Sequence, residues 1–228
     1  FQNRSIQNGF PPGSIFKIVM VLAGLDSQLI NSRQRVLCIG LQRLFGHDFR
    51  CSATGGHGWI DLEAAPQYSC NIYFYQLGRN LGIDRIQVFA RQFGLGQKTG
   101  IDLPGEISGL VPSREWKREM KGTPWYPGET ISVSIGQGPI LVTPLQMAVA
   151  VGAVATGRLV QPYLRRPAPG ESRGEPQRLF APEQLEKIRT GLWRAVNQSG
   201  TARRARVEGF EVAGKTATVQ TIGRASRE

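Results

Sequence analysis

The segment from Ser14 to Leu25 is apolar except for one lysine in its first turn, and it directly follows the chain-breaking Pro11-Pro12-Gly13. Apolar residues recur in it at helical spacing, which predicts a largely buried helix. Residues three apart share one face of a helix, so Ser14 and Lys17 can meet. The apolar residues that define the helix are Ile15, Ile18, Val19, Leu22 and Leu25.

A hydroxyl and an amine at this spacing suit nucleophilic catalysis. A serine becomes an effective nucleophile when a base lies beside it, and a lysine serves as that base when burial favours its neutral form. The positive end of the helix would also stabilise an oxyanion. By itself the S-x-x-K spacing is equally typical of a serine that caps a helix and a lysine that extends to the surface.

Two later segments carry further groups of the same chemistry. Ser69-Cys70-Asn71 supplies a hydroxyl and an amide in an apolar, aromatic segment, within a predicted helix from Leu62 to Leu81 that breaks near Ser69. Lys215-Thr216-Ala217-Thr218 lies on a predicted strand that continues through Val219. Two more helices are predicted: one begins at the capping box of Thr143 and Gln146, and the other runs from Pro182 to about Asn197.

In this order the three segments resemble the signature of penicillin-interacting serine enzymes. Their flanks resemble class B penicillin-binding proteins, and most closely the penicillin-binding protein 2 group of cell-elongation transpeptidases. The resemblance covers nearly the whole chain. The flanking stretches that carry it are Gly56-His57-Gly58-Trp59-Ile60-Asp61, 94–106, Ser134-Ile135-Gly136-Gln137-Gly138 and Thr143-Pro144-Leu145-Gln146-Met147-Ala148.

The resemblance implies an α/β fold of the α+β type, like that of the penicillin-binding transpeptidases and serine β-lactamases. An antiparallel sheet is flanked by helices, and a helical lobe forms the other wall of the cleft. We expect residues 1–228 to form one transpeptidase domain that ends soon after the third segment. Because the chain begins at Phe1, we also expect it to be a piece of a longer protein, and the resemblance implies that this protein carries an N-terminal membrane anchor.

The resemblance also implies a role for each matching residue in peptidoglycan crosslinking. Ser14 attacks a D-alanyl-D-alanine stem peptide or a β-lactam, and Lys17 takes its proton. Ser69 relays a proton to the leaving amine, and Asn71 holds the substrate amide and orients Lys17. Lys215 and Thr216 bind the terminal carboxylate. The backbone N–H groups of Ser14 and Thr218 form the oxyanion hole.

Two features depart from a simple match. Ala217 stands where the family has glycine, which adds a methyl group beside the strand. Lys98-Thr99-Gly100 matches K-T-G literally but lies in a connection rich in glycine and proline, where the resembling family has a structural segment. We assign no catalysis to it.

Three alternatives share the signature: a serine β-lactamase, a D,D-carboxypeptidase and a penicillin-sensing domain that does not crosslink. The elongation-type flanks favour the transpeptidase. By resemblance, the partners are stem peptides, lipid-linked glycan strands, β-lactams and a membrane glycan polymerase of the SEDS type. The location implied is the periplasmic side of the bacterial inner membrane.

The three cysteines allow two interpretations. A disulfide Cys38–Cys51 would leave Cys70 free. Alternatively, Cys38, Cys51, His57 and Cys70 form a Cys₃His set suited to tetrahedral structural zinc, with His47 as a rival ligand. Some members of the penicillin-binding protein 2 group hold zinc beside the second segment with Asp, Asp, His and Cys at the matching positions. The chemistry itself requires no cofactor.

The net charge of +11 raises the question of nucleic acid binding. The densest basic cluster is Arg203, Arg204 and Arg206, and no aromatic residues are interleaved with it for base stacking. The sequence also lacks a zinc-finger or helix-turn-helix pattern. We therefore expect no nucleic acid partner.

Overall fold

A computed structural model describes residues 2–166, 168 and 176–219 of the chain. Its helices are α1 (Arg4–Gln7), α2 (Lys17–Asp26), α3 (Ala64–Tyr68), α4 (Asn71–Gln92), α5 (Arg114–Lys121), α6 (Pro127–Val133), α7 (Pro144–Thr156) and α8 (Pro182–Asn197). Its strands are β1 (Val36–Cys38), β2 (Leu41–Leu44), β3 (His47–Arg50), β4 (Gly58–Ile60), β5 (Arg158–Leu159) and β6 (Gln177–Arg178). Two 3₁₀ turns span Gly13–Phe16 and Arg203–Ala205. The end of the predicted domain, 220–228, lies outside the described residues.

The strands form three antiparallel pairs: β1 with β4, β2 with β3, and β5 with β6. In the first pair, Val36 lies opposite Ile60 and Cys38 lies opposite Gly58. Within the described residues, the predicted strand through Val219 is wrong. Residues 211–219 form neither helix nor strand, and no described strand pairs with them. The segment still lies beside the start of α2.

Helix α2 forms the centre of the core. It packs against α4 and α8, and all but its last two residues are buried. The predicted break near Ser69 is confirmed, since α3 ends at Tyr68 and α4 begins at Asn71. Helix α4 then continues past the predicted end at Leu81, through a kink at Gly82.

The predicted starts of α7 and α8 are also confirmed. Thr143 Oγ1 accepts from the Gln146 N–H, and Gln146 Oε1 accepts from the Thr143 N–H. The Gln146 amide then donates to the carbonyls of Gln97 and Ser108, so it fixes the connection rich in glycine and proline against α7. In the part of the chain that is described, no helix is both long and apolar enough to cross a membrane.

Candidate active site

Lys17 is wholly buried at the first position of α2, and its amine contacts the second segment. Lys17 Nζ donates to Ser69 O at 2.8 Å, to Ser69 Oγ at 3.2 Å and to Asn71 Oδ1 at 2.6 Å. It also lies 5.3 Å from the centre of the Phe74 ring. These contacts join two groups that are 52 to 54 residues apart in the chain. The predicted meeting of the first and second segments is therefore present.

Ser14 is half-buried in the 3₁₀ turn that leads into α2, one turn before Lys17. No hydrogen bond joins Ser14 Oγ to Lys17 Nζ among the described residues. A backbone hydrogen bond fixes this turn, since the Gly13 N–H donates to Gly136 O at 2.9 Å. Gly136 belongs to the Ser134–Gly138 stretch, so that stretch positions the serine.

Ser69 adopts the left-handed conformation, with φ 55° and ψ 38°, where it ends α3. A non-glycine residue in this region is strained, and such residues cluster at functional sites. The conformation turns the chain sharply between α3 and α4 and aims both Ser69 oxygens at Lys17. Asn71 is fixed from the other side, since its Nδ2 donates to Arg50 O at 3.2 Å.

Burial, together with the nearby charge of Lys215, lowers the pKa of Lys17 from 10.5 to about 7; the charges of Cys70 and Cys51 act in the opposite direction. Burial also lowers the pKa of Lys215, to about 8. A neutral Lys17 amine has two protons and one lone pair. It can donate to Ser69 O and Asn71 Oδ1 and still accept a proton from a hydroxyl.

The third segment lies against the start of α2. A Cβ built on Gly13 would lie 2.9 Å from Thr218 O, so the backbone of Thr218 adjoins the turn that carries Ser14. Helix α8 fixes the residues that precede this segment. The Gly214 N–H donates to Leu192 O, and Asn197 Nδ2 donates to Val212 O at 2.7 Å.

The side chains of the third segment are accessible. Thr216, Ala217 and Thr218 are exposed, and Lys215 is half-buried with its amine on Thr216 O at 3.1 Å. The methyl group of Ala217 therefore does not enter the core. A cavity of about 650 Å³ adjoins Lys215 and Thr216 and is walled on its far side by the 201–205 turn.

Cys38, Cys51, His57 and Cys70 come together directly behind the second segment. One ligand atom from each lies within 4.8 Å of all the others. His57 Nδ1 is 3.5 Å from Cys38 Sγ and 3.5 Å from Cys51 Sγ, and the ring stacks on Tyr68. The rival ligand His47 is exposed on β3 and is not in the cluster.

The disulfide alternative is wrong, because all three cysteines are free thiols. Cys38 Sγ and Cys51 Sγ both lie within hydrogen-bonding reach of His57 Nδ1. Cys51 also accepts a hydrogen bond from the Asn71 N–H at 3.3 Å. The hydrogen bond between Cys51 and Cys70 lowers the pKa of Cys51 to about 3 and raises that of Cys70, so one thiolate is favoured in the cluster.

The donor set fits a tetrahedral zinc ion. Zinc–sulfur bonds of about 2.3 Å and a zinc–nitrogen bond of about 2.05 Å place sulfur and nitrogen about 3.6 Å apart in a tetrahedron. The two sulfur–nitrogen distances of 3.5 Å are close to this value.

Ser14 in the turn before α2, the buried Lys17 bonded to Ser69 and Asn71, and Lys215 in the third segment form the arrangement that is typical of S-x-x-K serine acyltransferases. The sequence matches the penicillin binding protein transpeptidase domain over residues 1–228. The chain belongs to this family.

The relatives agree with this assignment. The chain is 39% identical over 229 residues to the peptidoglycan D,D-transpeptidase MrdA of Acinetobacter baumannii, covering 96% of this chain and 34% of that protein. It is 30% identical to the MrdA protein of Escherichia coli, covering 99% and 38%. The chain thus spans little more than a third of the length of these curated relatives.

Solved structures share the fold. Pseudomonas aeruginosa PBP2 in complex with WCK 5153 superposes with a TM-score of 0.90 and 36% identity, over 96% of this chain and 52% of that one. Helicobacter pylori PBP2 in its complex with MreC gives a TM-score of 0.88 and 32% identity, over 96% and 42%.

Sequence analysis missed two contributors to the site. The carbonyl of Arg50 positions Asn71, and no sequence pattern marks a backbone carbonyl. Thr201 Oγ1 accepts from Thr216 Oγ1 at 3.0 Å. In the sequence, Thr201 lies a few residues after the helix predicted to end near Asn197, and no motif marks it as functional.

Proposed function

We propose that the protein is a peptidoglycan D,D-transpeptidase that crosslinks stem peptides through an acyl-enzyme on Ser14. The observation that carries the proposal is the buried Lys17 amine, bonded to Ser69 and Asn71 one helical turn from Ser14. Membership of the family supports a role for this arrangement in acyl transfer. β-Lactams are trapped at the same serine.

Acylation begins when the neutral Lys17 amine takes the proton of Ser14 Oγ. The oxygen attacks the penultimate D-alanine carbonyl, and the developing oxyanion is stabilised by the N–H groups of Ser14 and Thr218. Ser69 Oγ, within reach of Lys17 Nζ, passes a proton to the leaving nitrogen. Lys215 and Thr216 hold the carboxylate of the terminal D-alanine until this residue leaves.

The second half of the reaction decides between the transpeptidase and its rivals. An amine from a second stem peptide attacks the acyl-enzyme and forms the crosslink, whereas water would give the product of a carboxypeptidase or β-lactamase. The test is to incubate the full-length protein with a D-alanyl-D-alanine stem peptide and an acceptor amine and to identify products by mass. A crosslinked product is expected. If the only product is hydrolysed donor peptide, the result favours a carboxypeptidase or β-lactamase. If the only product is a stable acyl-enzyme, it favours a penicillin-sensing domain.

The pH dependence of acylation should be bell-shaped. Lys17 must be neutral to accept a proton, so the rate rises with pH through about 7. Lys215 must be charged to attract a carboxylate, so the rate falls above about 8. The measurement is the second-order rate constant for penicillin at each pH. Lys215→Gln should remove the alkaline limb and move the acidic limb to higher pH, because the charge of Lys215 lowers the pKa of Lys17; a flat profile for the wild type would contradict both assignments.

We further propose that Cys38, Cys51, His57 and Cys70 hold a structural zinc ion. A closed four-ligand zinc site supplies folding stability rather than chemistry. Cys70 lies between Ser69 and Asn71 in the chain, and Cys51 Sγ accepts a hydrogen bond from the Asn71 N–H. A zinc ion that fixes these two cysteines would therefore also fix Ser69 and Asn71, which contact Lys17.

The zinc proposal predicts one zinc per protein after purification without chelator. Cys51→Ala should lose stoichiometric zinc and lower the melting temperature, because three ligands no longer close the site. His47→Ala, a change to the exposed histidine outside the cluster, should retain the metal. Elemental analysis provides the readout, and a wild-type protein free of zinc would contradict the proposal.

The resemblance to cell-elongation enzymes also supports a proposal for where the protein acts and with which partner. We place the domain at the periplasmic face of the inner membrane, attached through an N-terminal anchor. Its partner there is a glycan polymerase of the SEDS type, which supplies lipid-linked strands. The net charge of +11 favours approach to acidic polymers and membrane surfaces.

A further inference from the structure

Thr201 connects the second and third segments of the site. Thr216 Oγ1 donates to Thr201 Oγ1 at 3.0 Å, and Thr201 Oγ1 donates to Gln67 O at 3.5 Å. Gln67 is buried in α3, two residues before Ser69. Two hydroxyl groups linked by a hydrogen bond thus connect Thr216, the proposed carboxylate ligand, to the helix that ends just before Ser69.

The backbone holds Thr201 in place independently of its hydroxyl. The Thr201 N–H donates to Gln67 O at 3.2 Å, and the Ala202 N–H donates to Ala195 O at 2.9 Å. Just before it, Ser199 Oγ lies 3.0 Å from Tyr68 OH. The turn is therefore fixed to both α3 and α8, and removal of the Thr201 hydroxyl leaves these contacts intact.

Each hydroxyl has one proton, and this limits what the pair can do. While Thr216 Oγ1 donates to Thr201 Oγ1, Thr216 offers only lone pairs to a ligand. A carboxylate needs a donor. When Thr216 rotates its proton toward a carboxylate, Thr201 can rotate its own proton from Gln67 O to Thr216 Oγ1. Gln67 O keeps the Thr201 N–H, so no backbone carbonyl is left without a donor.

We propose that Thr201 is a positioning residue for carboxylate recognition. It holds the Thr216 hydroxyl in place and donates to it when Thr216 turns to the carboxylate of a stem peptide or penicillin. This inference rests on the proposed function, in which Thr216 binds that carboxylate. Thr201 takes no part in the bond-making steps at Ser14.

The test separates binding from chemistry in the full-length protein. Acylation by a fluorescent penicillin is followed over a range of concentrations, which yields a dissociation constant and a first-order acylation rate constant. Thr201→Val should weaken binding about two- to tenfold, the range expected for one hydrogen bond, and leave the acylation rate constant unchanged. Thr201→Ser should restore wild-type binding. Thr190→Val, the same change on α8 at a threonine without a side-chain hydrogen bond in the described residues, is the matched control.

A double-mutant cycle shows whether Thr201 acts through Thr216. Thr201→Val combined with Thr216→Val should bind penicillin no more weakly than Thr216→Val alone. Fully additive losses, or a Thr201→Val effect confined to the acylation rate constant, would overturn the inference. Wild-type protein that gains no penicillin adduct at all would instead refute the proposed function.

Discussion

Lys17→Ala is expected to slow acylation of Ser14 by about 10²- to 10⁴-fold, the usual contribution of a positioned general base. The loss follows from the position of the amine, which is fully buried and is fixed by Ser69 and Asn71. No other described lysine contacts that pair. The variant lacks the buried amine that takes the serine proton. The measurement is the second-order rate constant for penicillin, by mass or fluorescence.

Lys98→Ala is the control for this prediction. Lys98 belongs to the other literal K-T-G sequence of the chain, but it is exposed, and the neighbouring Thr99 and Gly100 are held by the Glu106 carboxylate. Its replacement should leave acylation unchanged. Lys17→Ala protein that is folded and labels at the wild-type rate would contradict the role of Lys17.

Gly136→Ala should reduce acylation by about 10²- to 10³-fold, comparable with the loss of an oxyanion-hole donor. Gly136 has φ +73°, and a Cβ there would lie 2.1 Å from Gly13 O. Backbone atoms cannot move aside as the end of a flexible side chain can. The collision therefore displaces the turn that presents Ser14 to Lys17 and Thr218. Initial labelling rates, with circular dichroism to confirm folding, provide the measurement.

Gly138→Ala separates this collision from simple backbone strain. Gly138 has a similar φ of +79°, but the nearest atom to its added Cβ is the Ser132 Cβ at 3.6 Å. Both variants bear the cost of a left-handed alanine, about 1–2 kcal/mol. Only Gly136→Ala should disrupt the turn at Ser14. Equal losses of acylation in the two variants would show that strain alone is responsible.

Local chemistry in the sequence was enough to predict the helices around the site. The apolar spacing after Gly13 indicates a buried helix, and Thr143 with Gln146 specifies a helix start. The break at Ser69 was also predicted, because polar groups interrupt an apolar segment there. The structure adds the reason for it, a left-handed serine whose two oxygens face Lys17.

Features that depend on distant pairing could not be predicted in the same way. The stretch from Val36 to Ile60 has no clear strand pattern in the sequence, yet it forms β1 to β4, whose short strands are stabilised by partners within the same stretch. The residues around Val219 look like a strand by composition but lack a described partner. The sequence leaves both zinc and a disulfide open for the cysteines; in the structure all three cysteines are free and their sulfurs cluster with His57.

The central claim is that Ser14 is the acylated nucleophile. The most direct test is the intact mass of the full-length protein after brief incubation with penicillin, followed by peptide mapping, for the wild type and Ser14→Ala. We predict one penicillin adduct on the peptide that contains Ser14 and no adduct in the variant. An adduct that persists in Ser14→Ala, or a folded wild-type protein that gains none, would contradict the claim.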